Sequence, residues 1–237
     1  MPPPAAAQNG TTKDTQAATA VLLSAGLDSA VLAAAEARRS AIHPIYISTG
    51  LAWESDERAV LNRLLASSPY AGNVERLVHL SFTVEDLYPD THWARRGDAP
   101  GFDTPDEDVY LAGRNIVLLS KAAIYCSQHD IGRIALGPLA GNPFPDATPQ
   151  FFSTMGAALS MGLGHTLTID TPFAHMRKSE VITLGSELDV PFALTLSCMS
   201  PQQGLHCGRC SKCRERRDAF AAAGVVDPAR YAAIPIR

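Results

Sequence analysis

No apolar run in the 237-residue sequence approaches the roughly 20 residues that a helix needs to cross a bilayer. The N-terminal residues also lack the basic and then apolar pattern of a secretory signal. These two absences predict a cytoplasmic protein without a membrane partner. The net charge of −4 at pH 7 offers no excess of positive charge for a phosphate backbone, so we expect no stable nucleic-acid partner.

The chain is long enough for one larger α/β domain, and its 46% hydrophobic residues are typical of a globular protein. Residues 1–16 have few bulky apolar side chains and predict a disordered tail. Apolar runs predict strands over residues 20–23, 43–48, 74–82, 133–139 and 166–170, and helical stripes predict helices over 30–37, 54–66, 116–125 and 149–162. This βαβ rhythm predicts an α/β fold with an open, mainly parallel, doubly wound sheet.

A loop of small and hydroxylated residues separates the first predicted strand from the first predicted helix. Its sequence is Ser24-Ala25-Gly26-Leu27-Asp28-Ser29. A helix that begins there leaves backbone N–H groups unpaired at the positive end of its dipole, which favours an anion such as a phosphate. The same residues could instead form only a capped turn. The loop lacks both the Gly-Lys-Ser/Thr ending of a mononucleotide P-loop and the Gly-x-Gly-x-x-Gly spacing of a dinucleotide fold.

Residues 88–110 show no periodicity and collect Pro, Gly and acidic side chains. Such a long irregular segment predicts either a lid over a ligand or a solvated acidic loop. Gly113, Arg114 and Asn115 follow at a helix start, where they could contact a phosphate or a purine edge, or could cap the helix beside a surface arginine. Lys178 follows the last predicted strand and could reach a polyphosphate or lie in solvent.

Four of the five cysteines share one short stretch, with the spacing Cys198-x8-Cys207-x2-Cys210-x2-Cys213. Because disulfides are rare in the cytoplasm, this cluster predicts a metal site. Four thiolates match tetrahedral Zn²⁺ in a structural role, and an iron–sulfur cluster is the alternative because ferredoxins use a similar spacing. His206 is then a bystander.

Simpler interpretations apply to several other residues. Cys126 is expected to be a buried packing thiol, and Met155 and Met161 are expected to pack in the core. The basic residues around the cysteine cluster could face the ligand phosphates or solvent; they are Arg209, Lys212, Arg214, Arg216 and Arg217.

In their order along the chain, these segments resemble the 7-cyano-7-deazaguanine synthase family of PP-loop ATP pyrophosphatases from about residue 21 to about residue 217. The loop is similar to that family's Ser-Gly-Gly-x-Asp-Ser signature, with Ala25 in place of the first glycine. The segment at Arg114 resembles the family's Pro-Gly-Arg-Asn helix start, and Thr171-Pro172 with Lys178 resembles its second phosphate-side segment. The four cysteines resemble its zinc knot.

The resemblance implies an enzyme of queuosine biosynthesis that adenylates 7-carboxy-7-deazaguanine with ATP, lets ammonia displace AMP, and converts the amide to the nitrile with a second ATP. Mg²⁺ is the implied catalytic metal and Zn²⁺ the implied structural metal. The implied catalytic residues are Asp28, Ser29, Arg114 and Lys178. The implied ATP site consists of Leu23, Ser24, Ala25, Gly26, Leu27, Asp28, Ser29, Tyr46, Gly113, Arg114 and Lys178.

The same resemblance suggests how the chain is divided. We expect a nucleotide-binding domain over residues 17–195 and a metal-binding segment over residues 196–237 that packs on it. The expected ligands are a small-molecule acid, ATP and ammonia, and a homodimer is one possible assembly.

Two segments depart from the family pattern, and both fall on the acceptor side. Residues 50–54 read Gly-Leu-Ala-Trp-Glu where the family has Gly-Gln-Arg/Lys-His, and residues 142–148 replace its Tyr-Pro-Asp-Cys-Arg stretch. The candidate acceptor residues are Trp53, Glu54, Asn115, Phe144 and Asp146. Trp53 and Phe144 could stack on a planar heterocycle or anchor the core.

Because of these departures, other functions stay open. The enzyme could amidate a different acid or stop at the amide. It could instead be a tRNA-modifying PP-loop enzyme such as a thiolase. A regulator with a zinc ribbon that binds nucleic acid is a third option, which the mild acidity of the chain disfavours.

Overall fold

The computed structural model describes residues 18–233, so the predicted tail over residues 1–16 lies outside the described part. A five-stranded parallel sheet forms its centre, in the order β3-β2-β1-β4-β5. The strands are β1 (Thr19–Leu22), β2 (Ile42–Ser48), β3 (Val78–Ser81), β4 (Arg133–Ala135) and β5 (Thr168–Asp170). The helices are α1 (Leu27–Ala37), α2 (Glu54–Leu65), α3 (Trp93–Arg96), α4 (Arg114–Gln128), α5 (Pro149–Leu163), α6 (Lys178–Glu187) and α7 (Ser211–Ala223).

The strand order reverses at β1, which pairs with β2 on one side and with β4 on the other. In an open α/β sheet, a crevice forms at the carboxyl end of the strands where the connections diverge, and ligands bind there. The loop that follows β1 opens into this crevice. The predicted fold class, an α/β doubly wound parallel sheet with a cysteine cluster near the C-terminus, is confirmed.

Close packing of two helices brings distant residues to the crevice. A Cβ atom on Gly185 would lie 2.6 Å from Phe192 Cζ and 2.7 Å from Val31 Cγ2, so only glycine lets α6 approach α1 this closely. The first residue of α6 therefore lies beside the start of α1. This contact places Lys178 next to the loop that follows β1.

Residues 88–110 are more ordered than the sequence suggests. They contain α3 and a short 3₁₀ turn over Asp106–Val109, and their middle is anchored to α7. Arg214 donates hydrogen bonds to the carbonyl groups of Phe102 and Thr104 at 2.8 and 2.9 Å. This segment therefore forms a wall of the crevice that is tied to the cysteine cluster.

Three single side chains were predicted to be buried. Cys126 is fully buried, as predicted, and burial raises the pKa of its thiol to about 12. Met155 packs partly against the core, but Met161 is 82% exposed, so its predicted core role is wrong. The buried face of α5 runs through Phe152 and Gly156, and Met161 lies off that face. No helix within residues 18–233 is long and apolar enough to span a membrane.

Candidate functional site

The loop between β1 and α1 is held by its own serine side chains. Ser24 Oγ accepts a hydrogen bond from the Gly26 N–H at 3.0 Å, and Ser29 Oγ lies 3.0 Å from the carbonyl oxygens of both Ser24 and Gly26. Gly26 is the N-cap of α1, and no side chain of the described residues caps this end. The first N–H groups of α1 are therefore available to an anion.

Ala25 points away from this anion site. Its side chain is fully buried, and its carbonyl oxygen accepts a hydrogen bond from the Leu196 N–H at 2.7 Å. The methyl group that replaces the family's first glycine therefore packs in the core. This position does not obstruct the helix start.

A charged cluster lies beside the loop. Lys178 Nζ is 3.1 Å from Asp28 Oδ2 and also forms an ion pair with Glu215 on α7. Burial opposes the charge on Lys178, but these two carboxylates outweigh it and raise the pKa of the lysine. Lys212 Nζ contacts the other oxygen of Glu215 at 2.6 Å. Asp28 Oδ1 is buried without a hydrogen-bond partner within residues 18–233, which leaves it free for a ligand.

Arg114 faces the loop from the start of α4. Gly113 caps this helix with φ = 75°, a left-handed conformation that favours glycine. The Nε atom of Arg114 is buried and has no hydrogen-bond partner among the described residues. A partly buried guanidinium with an unused donor fits an anionic ligand.

The crevice consists of two chambers with volumes of about 300 and 380 Å³. The first chamber is lined by the ends of β1 and β2, by α4, and by Ser24 and Ser29 of the loop. The second is lined by Gly26 and Asp28 of the loop and by side chains of α2, α3, α6 and α7. Both chambers share a wall that includes Glu57, Val109, Leu111, Arg114, Gly137 and Phe144. The loop therefore stands between two connected spaces.

Most of the predicted site residues line these chambers. The first chamber contains Leu23, Ser24, Ser29, Tyr46, Arg114, Asn115, Phe144 and Asp146. The second contains Gly26, Leu27, Asp28, Trp53, Arg114, Phe144 and Lys178. Ala25, Glu54 and Gly113 line neither chamber. Ala25 instead packs in the core, and Gly113 caps the start of α4.

Glu54 requires a correction, because the structure places it away from the predicted acceptor side. Its carboxylate accepts the N–H groups of Thr49 and Gly50 at 2.8 and 3.3 Å, the Thr49 hydroxyl at 3.1 Å, and the Ser48 hydroxyl. These bonds occupy the buried carboxylate fully. Glu54 therefore holds the turn between β2 and α2.

Each aromatic candidate packs against a neighbouring ring and also lines a chamber. Trp53 stacks on Trp93 with ring centroids 5.9 Å apart, and both rings line the second chamber. Phe144 stacks on Tyr110 at 5.1 Å in the wall of the first chamber. These pairs are packed against their neighbours and also present flat apolar surface to a ligand.

Asn115 and Asp146 are joined by two hydrogen bonds. The Asn115 N–H donates to Asp146 Oδ2 at 3.1 Å, and the Asn115 side chain donates to the Asp146 carbonyl at 2.8 Å. This pair fixes the start of α4 against the loop after β4. The pair borders the first chamber, which Tyr46 also lines, whereas Trp53 lines the second chamber.

Two acidic residues of the site were missed by the sequence predictions. Glu57 lines both chambers and accepts a hydrogen bond from the Tyr46 hydroxyl at 3.1 Å. Its position among the buried residues Val60, Leu61 and Leu64 of α2 was a signal, because a charged side chain on an apolar stripe needs a reason. Glu215 gave no such signal, since its partner Lys178 is 37 residues away.

The four clustered cysteines meet in space. The four Sγ atoms lie within 4.8 Å of one another; they belong to Cys198, Cys207, Cys210 and Cys213. All four residues are buried, and none forms a disulfide. Backbone N–H groups donate to two of these sulfurs, at 3.2 Å for Cys198 and 3.3 Å for Cys207. Such a closed set of four sulfur ligands fits a tetrahedral metal. His206 instead accepts the Ser197 N–H at 3.1 Å.

Helix α7 links the cysteine cluster to the second chamber. Cys210 caps the helix and Cys213 lies in its first turn, while Lys212 and Glu215 extend into the chamber. Of the other basic residues near the cluster, Arg214 pairs with Asp106 and the buried Arg216 pairs with Asp227. Lys212 is therefore the basic residue of this segment that faces the ligand site.

Comparison with known proteins agrees with this site. The family model of the queuosine biosynthesis protein QueC matches residues 18–224. A 7-cyano-7-deazaguanine synthase from Anaeromyxobacter dehalogenans is 34% identical over 222 residues, which cover 90% of this chain and 94% of that protein. Another from Magnetococcus marinus is 33% identical over 224 residues, with 89% and 95% covered.

A solved structure shows a more distant likeness. The U34-tRNA thiolase NcsA from Methanococcus maripaludis, with its 4Fe–4S cluster, is 14% identical; the match covers 90% of this chain and 73% of that one, with a TM-score of 0.48. The family match, by contrast, includes the loop after β1, the start of α4, Lys178 and all four clustered cysteines. From this match and the two relatives above 30% identity, we conclude that the chain belongs to the queuosine biosynthesis protein QueC family.

Proposed function

We propose that this protein is an ATP-dependent ligase that converts 7-carboxy-7-deazaguanine, or a closely related planar acid, first to the amide and then to the nitrile with ammonia as the nitrogen source. The uncapped start of α1 beside Asp28 and Lys178, between two connected chambers, is the observation that carries this proposal. The names of its relatives supply the product, 7-cyano-7-deazaguanine.

Each chamber has a role in this proposal. The first would hold the nucleoside of ATP, with its base between the apolar ends of β1 and β2 and the ring pair at Phe144. The second would hold the acceptor acid against the stacked rings of Trp53 and Trp93. The polyphosphate would then lie at the loop, within reach of the N–H groups of α1. This arrangement places the α-phosphate where the two chambers meet.

The chemistry requires stabilisation of negative charge more than it requires a nucleophilic side chain. An acceptor carboxylate oxygen attacks the α-phosphorus, the bond to the β-phosphate oxygen breaks, and pyrophosphate leaves. The loop N–H groups, Arg114 and Lys178 stabilise the charge on that leaving group. Mg²⁺, when bound, supplies further charge neutralisation, and the unpartnered Asp28 Oδ1 is an oxygen of this chain that fits it.

The remaining steps follow from the acyl adenylate. Ammonia attacks the acyl carbon, a C–N bond forms, the bond to the AMP oxygen breaks, and the nitrogen loses one proton, which gives the amide. In the second round the amide oxygen attacks a new α-phosphorus, and the carbon–oxygen bond breaks as AMP leaves with that oxygen. Loss of the two nitrogen protons completes the nitrile. Arg114 and Lys178 serve both rounds, because pyrophosphate departs in each.

The cysteine cluster is proposed to hold structural Zn²⁺. Four thiolates leave no coordination position for a substrate, and the sulfur donor set suits this metal. The cluster lies at the start of α7, so metal binding there would fix Lys212 and Glu215 in the second chamber. Its contribution to the reaction would therefore be positional.

Exchange of labelled pyrophosphate into ATP tests the site assignment. The wild-type protein should catalyse this exchange only when the acceptor acid is present, because exchange requires reversible adenylate formation. Asp28→Ala and Ser29→Ala should lose at least about 100-fold of the exchange rate while retaining the wild-type circular dichroism spectrum. Asp218→Asn, on the exposed face of α7, is the matched control and should exchange at the wild-type rate. Wild-type exchange by folded Asp28→Ala would refute the assignment.

A further inference from the structure

Glu57 is a buried carboxyl group at the junction of the two chambers. It lies in the first turn of α2, is 8% exposed, and belongs to the wall that both chambers share. Its Oε2 atom accepts the hydrogen bond from the Tyr46 hydroxyl at 3.1 Å. Its Oε1 atom accepts no well-formed hydrogen bond among residues 18–233, although the Trp53 indole N–H lies close enough to lower the pKa of the carboxyl. One carboxyl oxygen is therefore oriented by the protein and the other is available to a ligand.

The other acidic side chains of the chambers are already engaged. Asp28 and Glu215 pair with Lys178, and Asp106 pairs with Arg214. Asp146 accepts the backbone N–H of Asn115. Lys178 and Lys212 lower the pKa of Glu215 against the effect of burial. Burial outweighs the partner at Asp28 and Asp146 and raises their pKa, but one oxygen of each carboxylate is occupied by that partner.

Glu57 differs from them in the chemistry of its partner. Within the described residues it forms no ion pair, and its partners are the neutral Tyr46 phenol and Trp53 indole. Its second oxygen is therefore placed to take a proton from a ligand, at the border of the space where the acyl adenylate would form.

We propose that Glu57 is the general base that activates ammonia, a role that rests on the function proposed above. Ammonium enters the site, one N–H proton moves to Glu57 Oε1, and the neutral ammonia so formed attacks the acyl carbon of the adenylate. The C–N bond forms as the bond between the acyl carbon and the AMP oxygen breaks, and a second N–H proton passes to solvent to leave the neutral amide. The proton on Glu57 returns to solvent after AMP leaves.

The surroundings of Glu57 suit a base that works near neutral pH. Burial raises the pKa of this carboxyl to about 7, against the opposing effects of the Arg114 guanidinium on α4 and the Tyr46 hydroxyl on β2. Glu54, on the same helix, adds to the rise through like-charge repulsion. Asp28 and Lys178 face Glu57 across the second chamber as an ion pair.

A comparison of two nitrogen nucleophiles tests this role. Hydroxylamine is largely neutral at pH 7 and needs no base to become nucleophilic, whereas ammonia is almost entirely protonated. In Glu57→Gln, the ratio of amide formation with ammonium to hydroxamate formation with hydroxylamine should fall at least about 100-fold at pH 7. Glu187→Gln, an exposed position on α6, is the control and should keep the wild-type ratio.

The pH dependence provides a second readout. With Glu57 as base, the ammonium-dependent rate should rise with pH and level off above about 7, the pKa of this residue. In Glu57→Gln it should keep rising until ammonium itself titrates. Tyr46→Phe removes a hydrogen bond to the carboxylate and should move the wild-type inflection to higher pH.

Each outcome has a distinct meaning. Hydroxamate formation by Glu57→Gln shows that the variant is folded and still makes an adenylate, so an unchanged ratio in that variant overturns the role of Glu57. If the wild-type protein forms neither amide nor hydroxamate from the acceptor acid, the proposed function fails, and the inference that rests on it fails with it.

Discussion

Replacing Glu57 with glutamine should stabilise the fold at neutral and alkaline pH. The carboxyl group is 8% exposed, and its pKa is raised from 4.5 to about 7, chiefly because burial disfavours the charged form. Glutamine has nearly the same shape, carries no charge, and offers an oxygen to the Tyr46 hydroxyl. The variant therefore removes the cost of a buried charge and keeps the packing.

The sign and size of this effect follow from linkage. The folded state holds the Glu57 proton more tightly than the unfolded state does. The contribution of this group to the unfolding free energy is therefore fully present below pH 4.5 and is lost as the pH rises to about 7. A rise of about 2.5 pKa units corresponds to about 3 kcal/mol of unfolding free energy, at 1.36 kcal/mol per unit. Glu57→Gln should therefore exceed the wild-type stability by up to about 3 kcal/mol above pH 7.

Urea unfolding of both proteins across this pH range measures the difference. Near pH 4.5 the two unfolding free energies should be nearly equal, and above pH 7 the variant should be the more stable one. A difference that does not change with pH would show that the pKa of Glu57 is the same in the folded and unfolded states. A variant that is less stable above pH 7 would contradict the reasoning outright.

Three further predictions concern the charged cluster and the cysteines. Lys178→Met should lower the rate of pyrophosphate exchange by about 100- to 1,000-fold, because it removes a cation that stabilises the leaving group; an unchanged rate would remove the lysine from the phosphate site. Glu215→Gln should lower the same rate by up to about 100-fold, because Lys178 loses the ion pair that holds it in place. Arg217→Gln on the same helix should leave the rate unchanged. Cys210→Ser should purify with little bound metal and melt at a lower temperature than the wild type, as followed by elemental analysis and calorimetry; equal metal content and an equal melting curve would disprove a structural metal.

Local sequence patterns were sufficient to predict the loop between β1 and α1 and the cysteine cluster. The loop after β1 depends on short-range spacing between a buried strand and a helix, and that spacing is visible in the sequence. The four cysteines form a cluster because metal-ligand spacing is also local. The parallel, doubly wound sheet followed from the βαβ rhythm, whereas the order of its strands was not predicted.

Features that depend on tertiary contacts were not accessible in the same way. Glu215 meets Lys178 only because Gly185 lets α6 pack closely on α1 and because α7 crosses the end of that pair. Glu54 and Glu57 lie one turn apart on α2, yet one binds the preceding turn and the other faces the chambers. Periodicity also could not decide which side of α5 is buried, so Met161 was misplaced.

The central claim is tested most directly by the product of the complete reaction. The purified wild-type protein would be incubated with Mg-ATP, ammonium and 7-carboxy-7-deazaguanine, and AMP and the mass of the acceptor would be followed together. We predict two AMP for each acid converted to nitrile, with the amide as an intermediate. AMP formation with a different acid, and none with this one, would contradict the proposed acceptor; absence of AMP with every carboxylate tested would contradict the proposed chemistry.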